Sequence, residues 1–226
     1  PTMSPFFPQL IRKIYNSESY VGITTNLTRS IRFIQENFKY LHNASCSFHP
    51  HYEFQDNKYK DFIEKIQEAS NWCHITVRVM MDPLYWDQTL SVIEEITELD
   101  CCKIEVVYID EQYGSTAKPI TDIKYSAKQL EYIKNFKPYR SFTPKYKDFD
   151  HYKAPKPTGL TIFKDGTQEK FTSAQPYINN GQANFFNYSC NIGKNSLFIG
   201  YDGRIRRGNC PVGGYIGSVE QWKDID

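Results

Sequence analysis

The sequence has almost no surplus of charge: 27 Lys and Arg face 26 Asp and Glu, a formal net charge of +1. No global field therefore draws the chain toward nucleic acid or an anionic membrane. It contains no run of about 18 apolar residues, the length a membrane-spanning helix needs. Nothing near the amino end has the build of a signal peptide. These absences predict a cytoplasmic protein without a membrane role. With only five His, no HExxH, no Ser-His-Asp order carrying a motif and no paired-carboxylate signature, hydrolysis has no support. The six cysteines (Cys46, Cys73, Cys101, Cys102, Cys190 and Cys210) are too few and too scattered for a disulfide scaffold. Reduced thiols or metal ligands are the better readings. There is no internal repeat and no low-complexity tract.

What the chain does have is the makeup of a folded domain. It is 226 residues long, 40% hydrophobic and 23% charged, enough for one large domain or one domain with an appendage. Seventeen Tyr and fifteen Phe promise broad apolar contact surfaces whose phenol groups need partners where buried. The chain opens at Pro1, without an initiating Met, just before the helical pattern that begins at Phe7. An excised fragment would look this way, as would a processed or trimmed chain.

Helix and strand signals alternate through the first half, the pattern of β-α units with a parallel sheet. Phe7, Leu10, Ile11 and Ile14 have helical spacing, and Tyr20 to Asn26 is a short β-rich run. A helix is predicted from about Thr28 to Phe38, then a strand over Asn43 to His49 that is weak by propensity and stronger by position. The helix Tyr59 to Ala69 carries the stripe Phe62, Ile63 and Ile66. His74 to Met81 reads as a clear strand, Tyr85 to Leu99 as a helix, and Lys103 to Ile109 as a fourth strand. Ser126 is a plausible cap for a helix to Phe136. A Pro-, Lys- and Tyr-rich stretch, 137–157, divides a barrel-like unit, 1–136, from a β-rich extension, 158–226. In that extension Thr161 to Lys164, Gln168 to Phe171, Ser196 to Gly200 and Gly203 to Arg206 read as short strands, with Asp165-Gly166 and Asp202-Gly203 at turns.

Four strands are too few to close an eight-stranded barrel. Their order, and the segments around them, resemble the radical SAM superfamily, especially members with a carboxyl-terminal extension of the SPASM or twitch type. Pro1-Thr2-Met3-Ser4-Pro5 resembles the segment just after the family's Gly-Gly-Glu. ITTNL (Ile23 to Leu27), SCSFHP (Ser45 to Pro50), VRVMM (Val77 to Met81) and the run ending at Tyr108-Ile109 are similar to its later strands. Asn184 to Cys210, with the trailing Gly213 to Val219, resembles the entry to an auxiliary-cluster region. The family's defining CxxxCxxC is absent, and by the resemblance it would lie before residue 1. The interval from Gly203 to Cys210 is longer than the family's usual pattern, and no CxxCxxxC comes after it.

The resemblance implies an α/β fold, an incomplete radical-SAM-type partial TIM barrel with outer helices plus a small hairpin-containing tail. It implies a parent enzyme that binds a 4Fe–4S cluster upstream, takes S-adenosylmethionine and an electron donor, and generates a 5′-deoxyadenosyl radical. This fragment would itself be inactive, and the two cofactors are assigned to the parent, with none necessarily held by this chain alone. The substrate would be a peptide or a small metabolite. Thr25, Asn26, Ser47 and Arg78 are the implied S-adenosylmethionine residues; Cys190 and Cys210 are the implied auxiliary iron-sulfur ligands, thiolate being the soft ligand such clusters require.

Each candidate has an ordinary alternative. Cys190 and Cys210 could be buried thiols or a disulfide. Asn26 or Thr28 could cap a helix. Ser45, Ser47 and His49 share a strand face and could order a loop. Arg78, mid-strand, needs a partner and could find it in Glu105 on the adjacent strand. Cys101 and Cys102, if on a strand, point to opposite faces and read as small buried hydrophobes. Arg204, Arg206 and Arg207 with nearby Tyr201 and Tyr215 could grip RNA or an acidic peptide, or form a solvated face. The alternative for the whole is therefore a non-catalytic α/β peptide- or RNA-binding protein. The uncovered edge of the first strand would favour pairing between copies.

Overall fold

The computed structural model describes residues 2, 4–109, 124–137, 159–162, 165–171, 197–200, 202–208 and 214–221. Its main part is a parallel sheet of β1 (Gly22–Thr25), β2 (Asn43–Phe48), β3 (His74–Met81) and β4 (Lys103–Tyr108), in the order β1-β2-β3-β4. Around it run α1 (Phe7–Asn16), α2 (Ile31–Asn37), the short α3 (Pro50–Glu53), α4 (Lys58–Ser70), α5 (Trp86–Glu98) and α6 (Ala127–Asn135). The β-α alternation expected from the sequence is the observed one.

The strand order has a geometric consequence. Each crossover between neighbouring parallel strands is right-handed, so moving always in one direction across the sheet lays every crossover helix on the same face. The core obeys this. Ala44, Cys46 and Phe48 of β2, Ile75, Val77, Val79 and Met81 of β3, and Ile104 and Val106 of β4 join one buried cluster. From the helices, Phe7, Ile11, Ile34, Phe62, Ile66, Val92, Ile96 and Ile133 pack into the same cluster. Strand register places those sheet residues side by side, Cys46 beside Val77 beside Ile104, on one face. The alternate residues face the other way, and most are polar.

Local signals set the helix ends. Ser126 caps α6 in a reciprocal box with Gln129, as its sequence position predicts. For α2 the cap is Ser30, whose hydroxyl accepts from Phe33 N at 3.3 Å. The helix begins later than the apolar spacing implies, so Asn26 and Thr28 are not its caps. His42 anchors the start of β1: its Nδ1 accepts the Val21 amide at 3.0 Å, while its ring stacks on Tyr20.

The extension contains two antiparallel pieces. β5 (Gly159–Ile162) pairs with β6 (Gln168–Phe171), and β7 (Phe198–Ile199), β8 (Arg204–Arg206) and β9 (Tyr215–Ser218) form a three-stranded sheet. Gly203, at φ +77°, supplies the left-handed turn expected of Asp202-Gly203. β9 is not predicted by the strand signals, because glycines break up its apolar pattern. Among the described residues, no helix is long and apolar enough to cross a membrane.

Phe48 is fully buried and meets Phe54 and Phe62 edge-on, with centroids 5.7 and 5.3 Å away. Phe48→Ala is expected to destabilise the fold by about 3–5 kcal/mol, the range for truncating a core phenylalanine. Urea unfolding of the variant against the parent measures it.

Candidate functional site

Every second residue of the sheet faces away from the helices and builds two polar rows. Thr24, Ser45, Thr76 and Lys103 lie in register across four strands; Ser47, Arg78 and Glu105 lie in register one step further along. Carboxyl-terminal strand ends are where parallel α/β folds place their chemistry, because loops converge there and side chains arrive from several strands.

Ser47 and Arg78 are thus brought together as neighbours. The Arg78 Nε lies 4.0 Å from a Glu105 carboxylate oxygen, with side-chain exposures of 24% and 12%, so this is a partly buried ion pair. Glu105 also accepts from the Lys103 ammonium. The carboxylate that could satisfy Arg78 from within the fold is therefore the one its neighbouring strand supplies. A guanidinium presents its donors in one plane, a geometry matched to carboxylates.

Thr25 is placed differently from Ser47 and Arg78. Its register partner is Cys46, so it belongs to the helix-facing side, and it is buried. Its hydroxyl accepts from Leu27 N at 3.1 Å and orders the turn leaving β1. That turn is strained: Leu27 has φ +52°, a left-handed conformation costing a non-glycine residue roughly 1–2 kcal/mol. Its side chain is nevertheless buried in the core. The same turn leaves Asn26 exposed one residue beyond the last paired position of β1, level with Ser47.

Asn26 opens onto a cleft of about 650 Å³, within the size range of small-molecule sites. Leu27 and Phe62 give it apolar walls; His49, Glu53, Asp61 and Lys65 give it ionisable groups. Lys65 is almost wholly buried, its side chain 10% exposed, and its ammonium binds the Asp61 carboxylate at 2.6 Å. Burial is the main cause that pushes the Glu53 carboxyl up to about 7; Asp61 adds to it, while Lys65 and Lys58 oppose it. Burial lowers His49 below its ordinary value. The cleft therefore combines a histidine biased toward its neutral form, a buried ammonium and a carboxyl that exchanges its proton near neutrality, groups able to orient a polar ligand.

Glu53 and Lys65 were not among the candidates drawn from the sequence. One signal was available, namely a lysine inside the apolar stripe Phe62, Ile63 and Ile66, four residues after an aspartate. Such a lysine must be paired to be buried.

Cys190 and Cys210 lie outside the described residues. Of the other cysteines, Cys46, Cys73 and Cys102 are buried and Cys101 is half-buried. Burial, with a contribution from Cys73, raises the Cys46 thiol well above its usual range. Cys102 is raised first by its hydrogen bond with Cys101 and then by burial. That contact differs from the opposite-facing arrangement expected of the pair. Both residues precede β4, outside the strand, where strand alternation does not apply. Among the described residues, no group of three or more His, Cys, Asp or Glu side chains could hold a metal ion. No protein-family model matches the chain, and no curated protein matches it in sequence.

Glu53 gives a pH test with a definite sign. Its folded value lies above its ordinary one, so its stabilising contribution is full below about 4.5 and is lost as pH rises through about 7. His49, lowered on folding, acts oppositely and loses stability as pH falls. The difference between the parent and Glu53→Gln isolates Glu53: the variant should gain stability relative to the parent between pH 5 and pH 8, read by thermal unfolding at matched ionic strength.

Proposed function

We propose that this chain is part of a radical S-adenosylmethionine enzyme, forming one wall of its cofactor pocket. The observation that carries the reading is the sheet with all its core helices on one face and the polar row Ser47, Arg78 and Glu105 on the other. A closed eight-stranded barrel fills its interior with apolar side chains, whereas a sheet that faces a polar ligand would need this asymmetry: apolar residues toward the helices, polar residues toward the site at the strand ends. The resemblance of ITTNL, SCSFHP and VRVMM to strands of that family supplies the chemistry the wall would serve.

In this reading the described cysteines do not hold the cluster; a CxxxCxxC segment preceding these residues in the parent would do so. Cluster and S-adenosylmethionine together would supply the radical chemistry, with a separate electron donor. The residues of this chain would bind and orient. Arg78 would direct its planar donors at a carboxylate or ribose oxygen, with Glu105 holding the guanidinium in place. Ser47 and Asn26 would hydrogen-bond polar atoms of the cofactor at the strand ends. Thr25 would act through the backbone, its hydroxyl fixing the turn that presents Asn26. Cys190 and Cys210 remain the candidates for an auxiliary cluster.

The test is S-adenosylmethionine binding by the 226-residue chain, measured by saturation-transfer NMR. Weak binding is expected, reduced about tenfold in Arg78→Ala, the loss expected for one hydrogen bond to a charged group. No methionine or 5′-deoxyadenosine should form under reducing conditions. Cleavage by this chain alone, or binding indifferent to both Arg78→Ala and Ser47→Ala, would overturn the reading.

A further inference from the structure

The three-stranded sheet of the extension has two unlike faces. Ile205, in the middle of β8, is buried, while its neighbours Arg204 and Arg206 point to the other side. Arg206 lies in register with Tyr215 of β9. Both guanidiniums lie over the Tyr215 ring, 4.0 Å from its centroid for Arg204 and 4.6 Å for Arg206. Arg206 also donates to the Tyr215 hydroxyl at 2.6 Å, and Arg204 donates to Asp202 at 2.6 Å. Two flexible cations are thus held on one phenol at a solvent-facing surface, which lowers the entropy an anionic partner must remove on binding.

A β-bulge extends this surface. Ile205 pairs with Gly217 and Arg206 with Tyr215, so Ile216 is an extra residue in β9. Regular alternation would turn Ile216 away from the solvent that Tyr215 meets. Instead both are exposed, at 43% for Tyr215 and 48% for Ile216. An exposed isoleucine beside a fixed arginine pair is a surface suited to contacts both apolar and ionic.

We propose that this surface docks an extended, acidic peptide segment of a partner protein, laid along β9. Among the described residues β9 pairs with β8 alone; the Ser218 amide already donates to Gln221 Oε1 at 3.0 Å, so a peptide laid along this edge would pair with the remaining backbone groups of β9. Charge complementarity selects the acidic partner. Arg204, Arg206 and Arg207 stand against Asp202 and Glu220 in the described part of this sheet and its turns, and Asp202 is already committed to Arg204. Carboxylates of the peptide would take further donors of Arg206 and Arg207, and an apolar residue between them would cover Ile216. Single-stranded RNA fits less well, because stacking a base on Tyr215 would compete with the guanidiniums that already occupy its ring. This inference is independent of the cofactor reading above.

The experiment is fluorescence anisotropy on the full chain with a fluorescein-labelled peptide alternating Glu and Val. The same peptide with Lys for Glu, and a single-stranded RNA, serve as competing ligands. Binding of the Glu peptide is expected, weakening as salt rises. It should fall about tenfold in Arg206→Ala, the loss of one charge-assisted contact. Arg206→Lys, which keeps the charge and loses the planar fork, should fall between the two. Ile216→Ser should weaken binding of the Glu-Val peptide and not of a peptide alternating Glu and Ser, a distinction that charge alone would not produce. Circular dichroism matching the parent shows that each variant is folded. The proposal is overturned by no binding, by equal binding of the Lys peptide, by indifference to both arginine variants, or by tighter binding of the RNA.

Discussion

The arrangement of this protein depends on strand pairing that proceeds in a single direction. Four parallel strands add in chain order, and the handedness of each crossover then leaves no choice about where the helices go. They collect on one face, where the aliphatic residues of β2, β3 and β4 meet those of α4 and α5 in one cluster. Had the order reversed partway, helices would have covered both faces, and the strands would read as continuous apolar runs. Here β3 alternates buried and half-buried residues along its whole length. The half-buried set includes Thr76 and Arg78, which could not occupy a doubly covered sheet without a large desolvation cost.

That asymmetry organises the chemistry. The Arg78 guanidinium, the carboxyls of Glu105, Glu53 and Asp61, and several hydroxyls reach the non-helical face or the carboxyl-terminal edge because the fold does not need those positions for its core. The edge also carries a strained residue. Leu27 is held left-handed between a buried Thr25 hydroxyl and its own buried side chain, and Asn26 is turned outward as a result. Strain at such a position is retained when the surroundings over-determine it. The cleft beneath contains Glu53, whose proton affinity is raised by burial that no single segment provides, and Lys65, whose ammonium pairs with Asp61.

Much of the scaffold was legible along the chain. His74 to Met81 coincides with β3, and the stripe Phe62, Ile63 and Ile66 with the buried side of α4. Asn43 to Phe48 was legible by position more than by propensity, since Asn, Ala and two Ser are poor strand formers in isolation. It is a strand because neighbours on both sides saturate its backbone. Other features could not be read this way. The α2 cap moved to Ser30 because a left-handed turn lengthens the loop before it. Cys101 and Cys102 touch because they precede β4 instead of lying on it. Tyr215 to Ser218 forms a strand despite Gly217 because β8 offers it a partner, at the expense of a bulge.

The sequence by itself determined the periodicities, and with them the β-α alternation, the apolar stripes and the near-neutral charge. These are local properties, set by spacing of 2 or 3.6 residues and by side-chain chemistry. Only the tertiary structure decided which polar residues meet. Ser47 faces Arg78, Arg78 faces Glu105, and Thr25 faces away from all three because register and pleat are fixed between strands, not within them. Likewise, Glu53 titrates near neutrality because burial, a property of the folded whole, outweighs the lysines beside it.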